Sequence, residues 1–184
     1  MGRLYISLMH HPVRNKKGET VASAITNLDL HDIARACRTY GAARFFVVSP
    51  LADQRKLAAK ILQHWREGAG ATYNPQRREA LSLVEIAADL DEVCRAIRQE
   101  SGHSPRIIAT SSRGAEKTID FDALRRLMAQ ERPCLIAFGT AWGFTDAFLG
   151  EADHRLKPIQ GTGEYNHLSV RSAVSIVLDR LCTA

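Results

Sequence analysis

The sequence predicts an α/β protein whose mostly parallel sheet carries helices on both faces. Short apolar and β-branched runs alternate along the chain with segments of helical periodicity, and this alternation is typical of parallel strands joined by helical crossovers. Of the 184 residues, 45% are hydrophobic and 24% are charged, as in ordinary soluble domains. We therefore expect one globular domain that spans residues 1–184.

The first predicted unit is a strand, a helix and a strand. Residues 5–9 and 43–49 are apolar runs bounded by turn residues, which is typical of buried strands. The segment between them has helical periodicity in its second half. Asn27 or Asp29 can cap the start of this helix, and Gly41 is placed to end it.

The middle of the chain continues the alternation. Apolar residues recur at helical spacing over residues 57–65, which predicts an amphipathic helix. The polar stretch 68–78 is predicted to be a surface loop. Residues 81–84 have the composition of a strand, and residues 89–99 have the pattern of a helix.

The last third is predicted to contain two strands and two helices. Residues 106–110 form the next strand, and Asp120 caps a helix that runs through Ala129. Residues 134–138 form a strand that a proline opens. After a loop-rich stretch, residues 166–181 have an apolar side and are predicted to close the chain as a helix.

We expect a cytoplasmic protein without a membrane segment or a metal site. The longest nearly apolar run, residues 134–144, is about half of the roughly 20 residues that a membrane helix needs, and the first residues lack a signal peptide's apolar core. The cysteines form no C-x-x-C pair, and with the histidines they show no spacing for a tetrahedral metal site. They are predicted to be buried free thiols: Cys37, Cys94, Cys134 and Cys182.

The net charge of +5 favours a polyanionic partner, because phosphates that a protein neutralises release their counterions. A solvated basic surface is the alternative interpretation of the same charge. The basic residues come in three clusters, which are Arg14 with Lys16 and Lys17, Arg77 with Arg78, and Arg125 with Arg126.

Glycine-rich segments indicate where a ligand binds. Ligands of open parallel sheets bind beyond the carboxyl ends of the strands. The turn after the first strand, residues 10–14, has no G-x-G-x-x-G and no Walker lysine motif, which argues against an ordinary dinucleotide or NTP site. Glycines come late instead, in residues 139–144 and 158–163. They let main-chain groups approach a ligand closely, which suits an adenine or a ribose.

Four segments follow one another in the second half of the chain: Thr110-Ser111, Phe138-Gly139 with Gly143-Phe144, Pro158-Ile159 with Gly161, and residues 166–173. Taken in this order, they resemble the motifs of the SPOUT superfamily, and especially its S-adenosylmethionine (SAM)-dependent RNA methyltransferases. The resemblance implies that SAM is the cofactor. The residues expected around it are Thr110, Ser111, Phe138, Gly139, Thr140, Trp142, Gly143, Phe144, Ile159, Gly161, Asn166, His167, Leu168, Ser169 and Ser172. The aromatic ring of Trp142 or Phe144 either covers the adenine or fills the core.

A second match lies upstream, where residues 26–41 resemble the family's first motif, an asparagine followed by Ala-Arg and a glycine that ends the helix. The resemblance implies that Arg35 is the catalytic arginine, and Asn27 and Asp32 complete the predicted catalytic set. The residues predicted to bind the substrate are His10, His11, Arg14, Asp29 and His31.

The general base and the acceptor atom stay open at this point. His31 or Asp32 could take the acceptor proton, although helix caps and solvated first-turn carboxylates are commoner. Other candidate bases for a nitrogen acceptor are the loop carboxylates Asp146, Asp153 and Glu164, each of which is equally plausible as a surface charge. Ser169 and Arg171 stand where ribose-methylating members commonly have asparagine and serine, so both the ribose hydroxyl and a base nitrogen remain possible acceptors.

The resemblance further implies a C-terminal trefoil knot and a homodimer with its SAM sites near the interface, acting on tRNA or rRNA. Periodicity alone predicts an unknotted sheet, since knots are rare exceptions to the rules of chain connection. Two alternatives remain. One is a non-catalytic RNA-binding protein that retains the knotted fold, and the other is a nucleotide-binding α/β enzyme of another class, against which the missing early phosphate loop argues.

Overall fold

The computed structural model describes residues 2–114, 117–163 and 165–183, which contain eight strands and eight helices. The strands are β1 (Leu4–Met9), β2 (Val13–Arg14), β3 (Thr20–Val21), β4 (Arg44–Val48), β5 (Val84–Ala87), β6 (Arg106–Ala109), β7 (Cys134–Gly139) and β8 (His154–Arg155). The helices are α1 (Asn27–Thr39), α2 (Ala52–Arg66), α3 (Ala69–Tyr73), α4 (Pro75–Leu81), α5 (Leu90–Ser101), α6 (Phe121–Met128), α7 (Asp146–Glu151) and α8 (Val170–Cys182).

Six strands form one parallel sheet in the order β5-β4-β1-β7-β6-β8, which confirms the predicted α/β class. Strand β1 lies in the middle, and its last residue, Met9, is level with Val48 of β4 and Gly139 of β7. The three strands therefore end at the same edge of the sheet, and the loops that follow them start side by side. Strands β2 and β3 form a separate antiparallel hairpin.

Helices cover both faces of the sheet, as predicted. Side chains alternate along β1, so that Ile6 and Leu8 face one core while Tyr5 and Met9 face the other. The first core is closed by α1, α2, α4, α6 and α8, and the second by α5 and α7. All of β1 is buried, which explains why its sequence is an almost continuous apolar run.

The helix boundaries agree with local capping chemistry in some places and differ in others. Asp120 caps α6, as predicted, and its side chain accepts a hydrogen bond from the N–H of Ala123 at 2.7 Å. Helix α1 is capped by Thr26, not by Asn27 or Asp29, because the Thr26 hydroxyl accepts from the N–H of Asp29 at 3.2 Å. Gly41 follows α1 with a φ of +72°, a conformation that suits glycine.

Three segment predictions are wrong. Residues 68–78 are not a loop but belong mostly to α3 and α4, where Asn74 caps α4 and Pro75 opens it. The strand predicted at 81–84 is displaced to β5, because Leu81 still belongs to α4. Helix α8 begins at Val170, four residues later than predicted, with Ser169 as its cap.

The main chain at the end of β8 makes hydrogen bonds to neighbouring segments on both of its sides. On one side, the N–H of Leu156 donates to the carbonyl of Ala109 at 2.9 Å. On the other side, Lys157 donates to the carbonyl of Ile119 and Ile119 donates to the carbonyl of Arg155, both at 2.8 Å. Ala109 and Ile119 therefore lie on opposite sides of the chain around β8.

Two predictions from composition can be compared with the fold. Within the described ranges, none of the helices has the length and apolar character that crossing a membrane requires. The cysteines are free, as predicted, but their burial differs: Cys37 and Cys134 are buried, Cys94 is partly buried and Cys182 is exposed. The prediction of four buried thiols is therefore wrong for Cys182, which lies in the last turn of α8.

Candidate functional site

The loops that follow β1 and β7 are tied together at the carboxyl edge of the sheet. The N–H of Arg14 donates to the carbonyl of Gly143 at 2.9 Å, and the N–H of Trp142 donates to the carbonyl of Arg14 at 3.0 Å. Val13 and Phe144 form an antiparallel bridge beside them. The hairpin of β2 and β3 therefore extends into the glycine-rich loop and fixes its position over the sheet.

That glycine-rich loop contains a tight turn. The N–H of Gly143 donates to the carbonyl of Thr140 at 2.9 Å, and Gly143 has a φ of +82°. Ala141 has a φ of +51°, a left-handed conformation that costs a residue with a Cβ about 1 kcal/mol or more. Such strain is concentrated at functional sites in proteins. A Cβ on Gly139 would lie 3.2 Å from the ring and the N atom of Phe144, so only glycine lets this turn close so tightly.

A series of side-chain hydrogen bonds connects the turn to the end of β1 and to Ser23. The Thr140 hydroxyl donates to the carbonyl of Met9 at 3.2 Å, and it lies 2.5 Å from the Ser23 hydroxyl. Ser23 therefore donates to Thr140, and it accepts from Nδ1 of His10, which is 2.9 Å away. His10 is fully buried, and its Nε2 has no hydrogen-bond partner among the described residues. The burial of His10 argues against the prediction that it binds substrate, because the ring is part of the hydrogen-bonded support under the turn.

Burial lowers the pKa of His10 to about 4, although the negative charge of Asp29 acts in the opposite direction and raises it. The folded pKa then lies below the unfolded value of about 6.5, so the folded protein loses stability as the pH falls from 6.5 towards 4. At pH 5 the loss relative to pH 7 is expected to be about 2 kcal/mol. Urea unfolding at both pH values measures it, and His10→Asn is expected to flatten this part of the profile. Identical pH profiles of the two proteins would contradict the assignment.

Two carboxylates predicted to act on the substrate are paired with an arginine instead. Arg171, in the first turn of α8, donates to Asp29 at 2.8 Å and lies 3.4 Å from Asp32. Asp29 is only 5% exposed, so the prediction that it binds substrate directly is wrong. Asp32 is exposed, but it shares the same arginine. This cluster joins the start of α1 to the start of α8.

The segment that leads into α8 has unusually free main-chain groups. Among residues 158–163 and 165–168, no N–H or carbonyl bonds to another main-chain group of the described chain. Ile159 is partly buried against the core, whereas Leu168 is 44% exposed. Gly161, Asn166 and His167 belong to the same segment, and Glu164 lies outside the described residues. Free main-chain donors and acceptors beside a sheet edge can recognise a polar ligand.

The serines predicted at the start of α8 cap that helix. The Ser169 hydroxyl accepts from the N–H of Ser172 at 3.2 Å and lies 3.0 Å from the Ser172 hydroxyl. Asn27, at the start of α1, is exposed. These side chains flank the free main-chain segment without closing it.

The aromatic residues near the turn have opposite surroundings. Phe144 is 1% exposed and stacks on Phe148 with 4.1 Å between ring centroids, so it fills the core and does not cover an adenine. Phe138 is likewise buried, which leaves only its main chain for a ligand. Trp142 is 59% exposed, so the interpretation that it fills the core is wrong and its ring is available to a ligand.

The end of β6 lines a cleft of about 240 Å³. The Thr110 hydroxyl donates to the carbonyl of Ala137 at 3.0 Å, and Ser111 lines the cleft with Arg113 and Asp146. Arg113 donates to Asp146 at 2.9 Å, and this hydrogen bond lowers the pKa of Asp146. A carboxylate with a lowered pKa is a poorer general base, which argues against the role predicted for Asp146.

Asp153 lies away from the carboxyl edge. Its carboxylate accepts from the N–H of Ile107, near the start of β6, at 2.8 Å. The amino and carboxyl ends of a parallel strand are at opposite edges of the sheet, so the prediction of Asp153 as a general base beside the glycine-rich loops is wrong.

Arg35 and His31 lie on the side of α1 that faces α4. Arg35 is exposed and lines a cleft with residues of α4. His31 packs edge-on against Trp65, with 5.2 Å between ring centroids. Burial, and then the charge of Arg77, lower the pKa of His31, which keeps this ring neutral at pH 7. His11, in the turn after β1, is exposed, whereas Arg14 is partly buried.

The site also contains residues that the sequence did not single out. Ser23 and Arg113 belonged to no motif, and their roles depend on contacts with residues distant in the sequence. Arg171 stood out only as a departure from the family's pattern. In the described part of the chain, no three His, Cys, Asp or Glu side chains are grouped as metal ligands would be.

This chain matches a known protein family over nearly its whole length. Residues 3–183 match the family described as SAM-dependent RNA methyltransferase. A protein of Oleidesulfovibrio alaskensis named tRNA (guanine-N(1)-)-methyltransferase is 43% identical over 178 residues, which are 97% of this chain and 41% of that protein. An uncharacterized protein of Aquifex aeolicus is 38% identical over 97% of this chain and 87% of its own length.

Solved structures share the fold. The SpoU methyltransferase AviRb from Streptomyces viridochromogenes, in complex with the cofactor AdoMet, superposes with a TM-score of 0.59. The superposition covers 98% of this chain and 57% of that chain, at 17% sequence identity. At this identity the likeness concerns the fold alone.

Proposed function

Because this chain belongs to the family of SAM-dependent RNA methyltransferases, we propose that it transfers a methyl group from SAM to RNA in the cytoplasm. The observation that carries the proposal is the carboxyl edge itself. Two features lie within the segments that resemble the family's motifs. One is the strained turn after β7, and the other is the segment with free main-chain groups before α8. No early phosphate loop competes with them as a nucleotide site.

The chemistry of this edge fits the cofactor. The free N–H and carbonyl groups of residues 158–163 and 165–168 suit the polar edge of an adenine and the hydroxyls of a ribose. The exposed ring of Trp142, in the glycine-rich loop after β7, offers an apolar surface for the adenine. Main-chain atoms of four further residues would complete the cofactor-binding site: Thr110, Gly139, Gly143 and Leu168.

When bound, SAM supplies an electrophilic methyl group on its sulfonium. The chain has to hold the RNA acceptor in line with that group and to let its proton leave. Asp29 and Asp32 are engaged by Arg171, which leaves neither of them an unpaired base in this arrangement. We assign positioning of the RNA to arginines, since the planar guanidinium binds phosphate with two parallel hydrogen bonds.

The RNA and the acceptor atom belong to the proposal as well. The Oleidesulfovibrio relative is named for guanine N1 of tRNA, but the chain spans about two-fifths of the length of that relative. The named activity is a property of that longer protein. We propose tRNA as the first substrate to test, with rRNA second.

One experiment tests the whole proposal. The protein is incubated with methyl-labelled SAM and separately with total tRNA and rRNA, and the label is located by nuclease digestion and mass spectrometry. We expect labelled RNA in at least one arm, with the labelled nucleoside naming the acceptor. The absence of both SAM binding by calorimetry and labelled RNA would refute the proposal and favour a non-catalytic RNA-binding protein.

Arg35 is proposed to bind a phosphate of the RNA and so to position the RNA for methyl transfer. Replacing Arg35 with alanine is expected to lower methyl transfer to tRNA about tenfold or more, because a charge-assisted phosphate contact is lost, while SAM affinity stays within about twofold. The matched control is Arg95→Ala, since Arg95 is an exposed arginine of α5 on the other face of the sheet. Equal activities of the two variants would exclude the role of Arg35.

We also propose that the chain is knotted and dimeric. The pairing of β8 between β6 and Ile119 supports a threaded chain. Two large apolar side chains, Leu28 and Leu168, are exposed at the start of α1 and in the segment before α8. Apolar surface of this kind favours association of two copies. Light scattering on the purified protein is expected to give twice the 20.4 kDa mass of the chain.

A further inference from the structure

A second basic site lies in a cleft between α1 and the segment of α3 and α4, apart from the glycine-rich loops. The cleft has a volume of about 290 Å³. Helix α1 contributes Arg35, Arg38 and Thr39, and the facing wall contributes Asn74, Gln76, Arg77, Glu79 and Ala80. The sequence predicts a surface loop at residues 68–78. In the structure these residues fold mainly into two short helices, and residues 74–80 form the facing wall of the cleft.

The charge of the cleft is strongly positive. Of its three arginines, only Arg38 has a carboxylate partner, Glu79, to which its Nε donates at 2.9 Å. Arg35 and Arg77 have no carboxylate within 4.0 Å among the residues that the structure describes. Two guanidinium groups are thus left to attract an anion into a concave surface.

Arg77 is held in place by an aromatic ring and not by a carboxylate. Its guanidinium lies over the ring of Trp65, 4.6 Å from the centroid. His31 packs edge-on against the same ring, and burial lowers its pKa. An arginine that is already ordered loses less conformational entropy when it binds a ligand than a solvated one does.

We infer that this cleft binds phosphate groups of the RNA backbone, as a contact surface separate from the cofactor loops. The inference rests on the proposed function, because it assumes that RNA is the substrate. Guanidinium groups match phosphate geometry, and the amides of Asn74 and Gln76 can donate to phosphate or sugar oxygens. One of the residues that line the cleft is Arg77, which the resemblance did not single out.

The central test compares two neighbouring arginines. Arg77→Gln removes a charge that lines the cleft, and Arg78→Gln removes one from an exposed position of α4 that does not line it. Binding of bulk tRNA is measured by fluorescence anisotropy between about 50 and 200 mM KCl, and SAM binding by calorimetry. We expect Arg77→Gln to weaken tRNA binding about five- to tenfold and to reduce the salt slope by about 0.7, with unchanged SAM affinity. Arg78→Gln is expected to change tRNA affinity less than twofold.

A second variant keeps the contact between Arg77 and Trp65 intact. Gln76→Glu places a carboxylate at the cleft, and it is expected to weaken tRNA binding at least as much as Arg77→Gln does. Its matched control is Gln63→Glu, on an exposed position of α2 that does not line the cleft. Equal effects within either pair would overturn the inference, since the cleft would then contribute only general charge.

Two further arms separate other outcomes. Inorganic phosphate is titrated in calorimetry, and phosphate binding that Arg77→Gln abolishes without changing tRNA affinity would assign the cleft to a small phosphate ligand instead of RNA. Methyl transfer is measured in parallel. If the wild-type protein neither binds SAM nor labels RNA, the proposed function has failed; if it does both and Arg77→Gln binds tRNA normally, only the second site has failed.

Discussion

Replacing Arg171 with methionine is expected to lower the free energy of unfolding by roughly 3 kcal/mol, because the Asp29 carboxylate stays buried without its charge partner. The pair is short, with 2.8 Å between Nη1 of Arg171 and Oδ1 of Asp29, and Asp29 is nearly inaccessible. Arg171 also approaches Asp32, so one arginine joins two positions of α1 to the start of α8. Urea unfolding measures the loss.

The matched control for Arg171 is Arg126→Met, because the exposed Arg126 side chain makes no hydrogen bond or ion pair with the described residues. The double variant Asp29→Asn with Arg171→Met is expected to recover part of the lost stability, since no unpaired charge remains buried. If Arg171→Met and Arg126→Met unfold at the same urea concentration, the pair does not hold the two helices together.

Replacing Gly139 with valine is expected to weaken SAM binding at least thirtyfold, which corresponds to about 2 kcal/mol. The new Cβ would meet the ring and the main-chain N of Phe144 at 3.2 Å. Phe144 is stacked in the core and cannot retreat, so the turn at residues 140–143 has to move instead. Calorimetry with SAM measures the loss, and thermal unfolding shows whether the fold survives.

The control for this substitution is Gly150→Val in α7, where a Cβ would point into open space and the substitution leaves the sheet edge untouched. Gly139→Ala adds the smallest possible side chain and is expected to have an intermediate effect. Tight SAM binding by a folded Gly139→Val protein would show that the glycine-rich loop is not part of the cofactor site.

The predicted elements that proved correct are those whose signals are local. The β1 run is apolar on both faces because both faces are buried, and Asp120 caps α6 with its own side chain three residues from its partner. Residues 68–78 gave a loop pattern because Gly68 and Gly70 disfavour helix in isolation. In the fold, a Cβ on Gly70 would lie 2.6 Å from the ring of Trp65, so close packing on α2 requires the glycine that weakens the helix.

The residues of the candidate site also fall into two groups, those that contiguous sequence motifs located and those that only long-range contacts revealed. Glycines and the cofactor-loop motifs are contiguous in sequence, and the resemblance located them. The supporting contacts are not contiguous: Ser23 meets Thr140 across 117 positions, and Arg171 meets Asp29 across 142. Each of these side chains is an ordinary surface residue by composition, and only its partner makes it structural.

By itself, the sequence determined the α/β class, the order of most strands and helices along the chain, and the family, because periodicity and motif spacing are properties of neighbouring residues. The tertiary structure decided which charged side chains are engaged in ion pairs and which are available to bind a ligand. It engaged Asp29 and Asp32 with Arg171, buried His10 under the turn, and left Arg35 and Arg77 without carboxylate partners in the described chain. The reason is physical: burial and ion pairing depend on distances between segments, which no local pattern encodes.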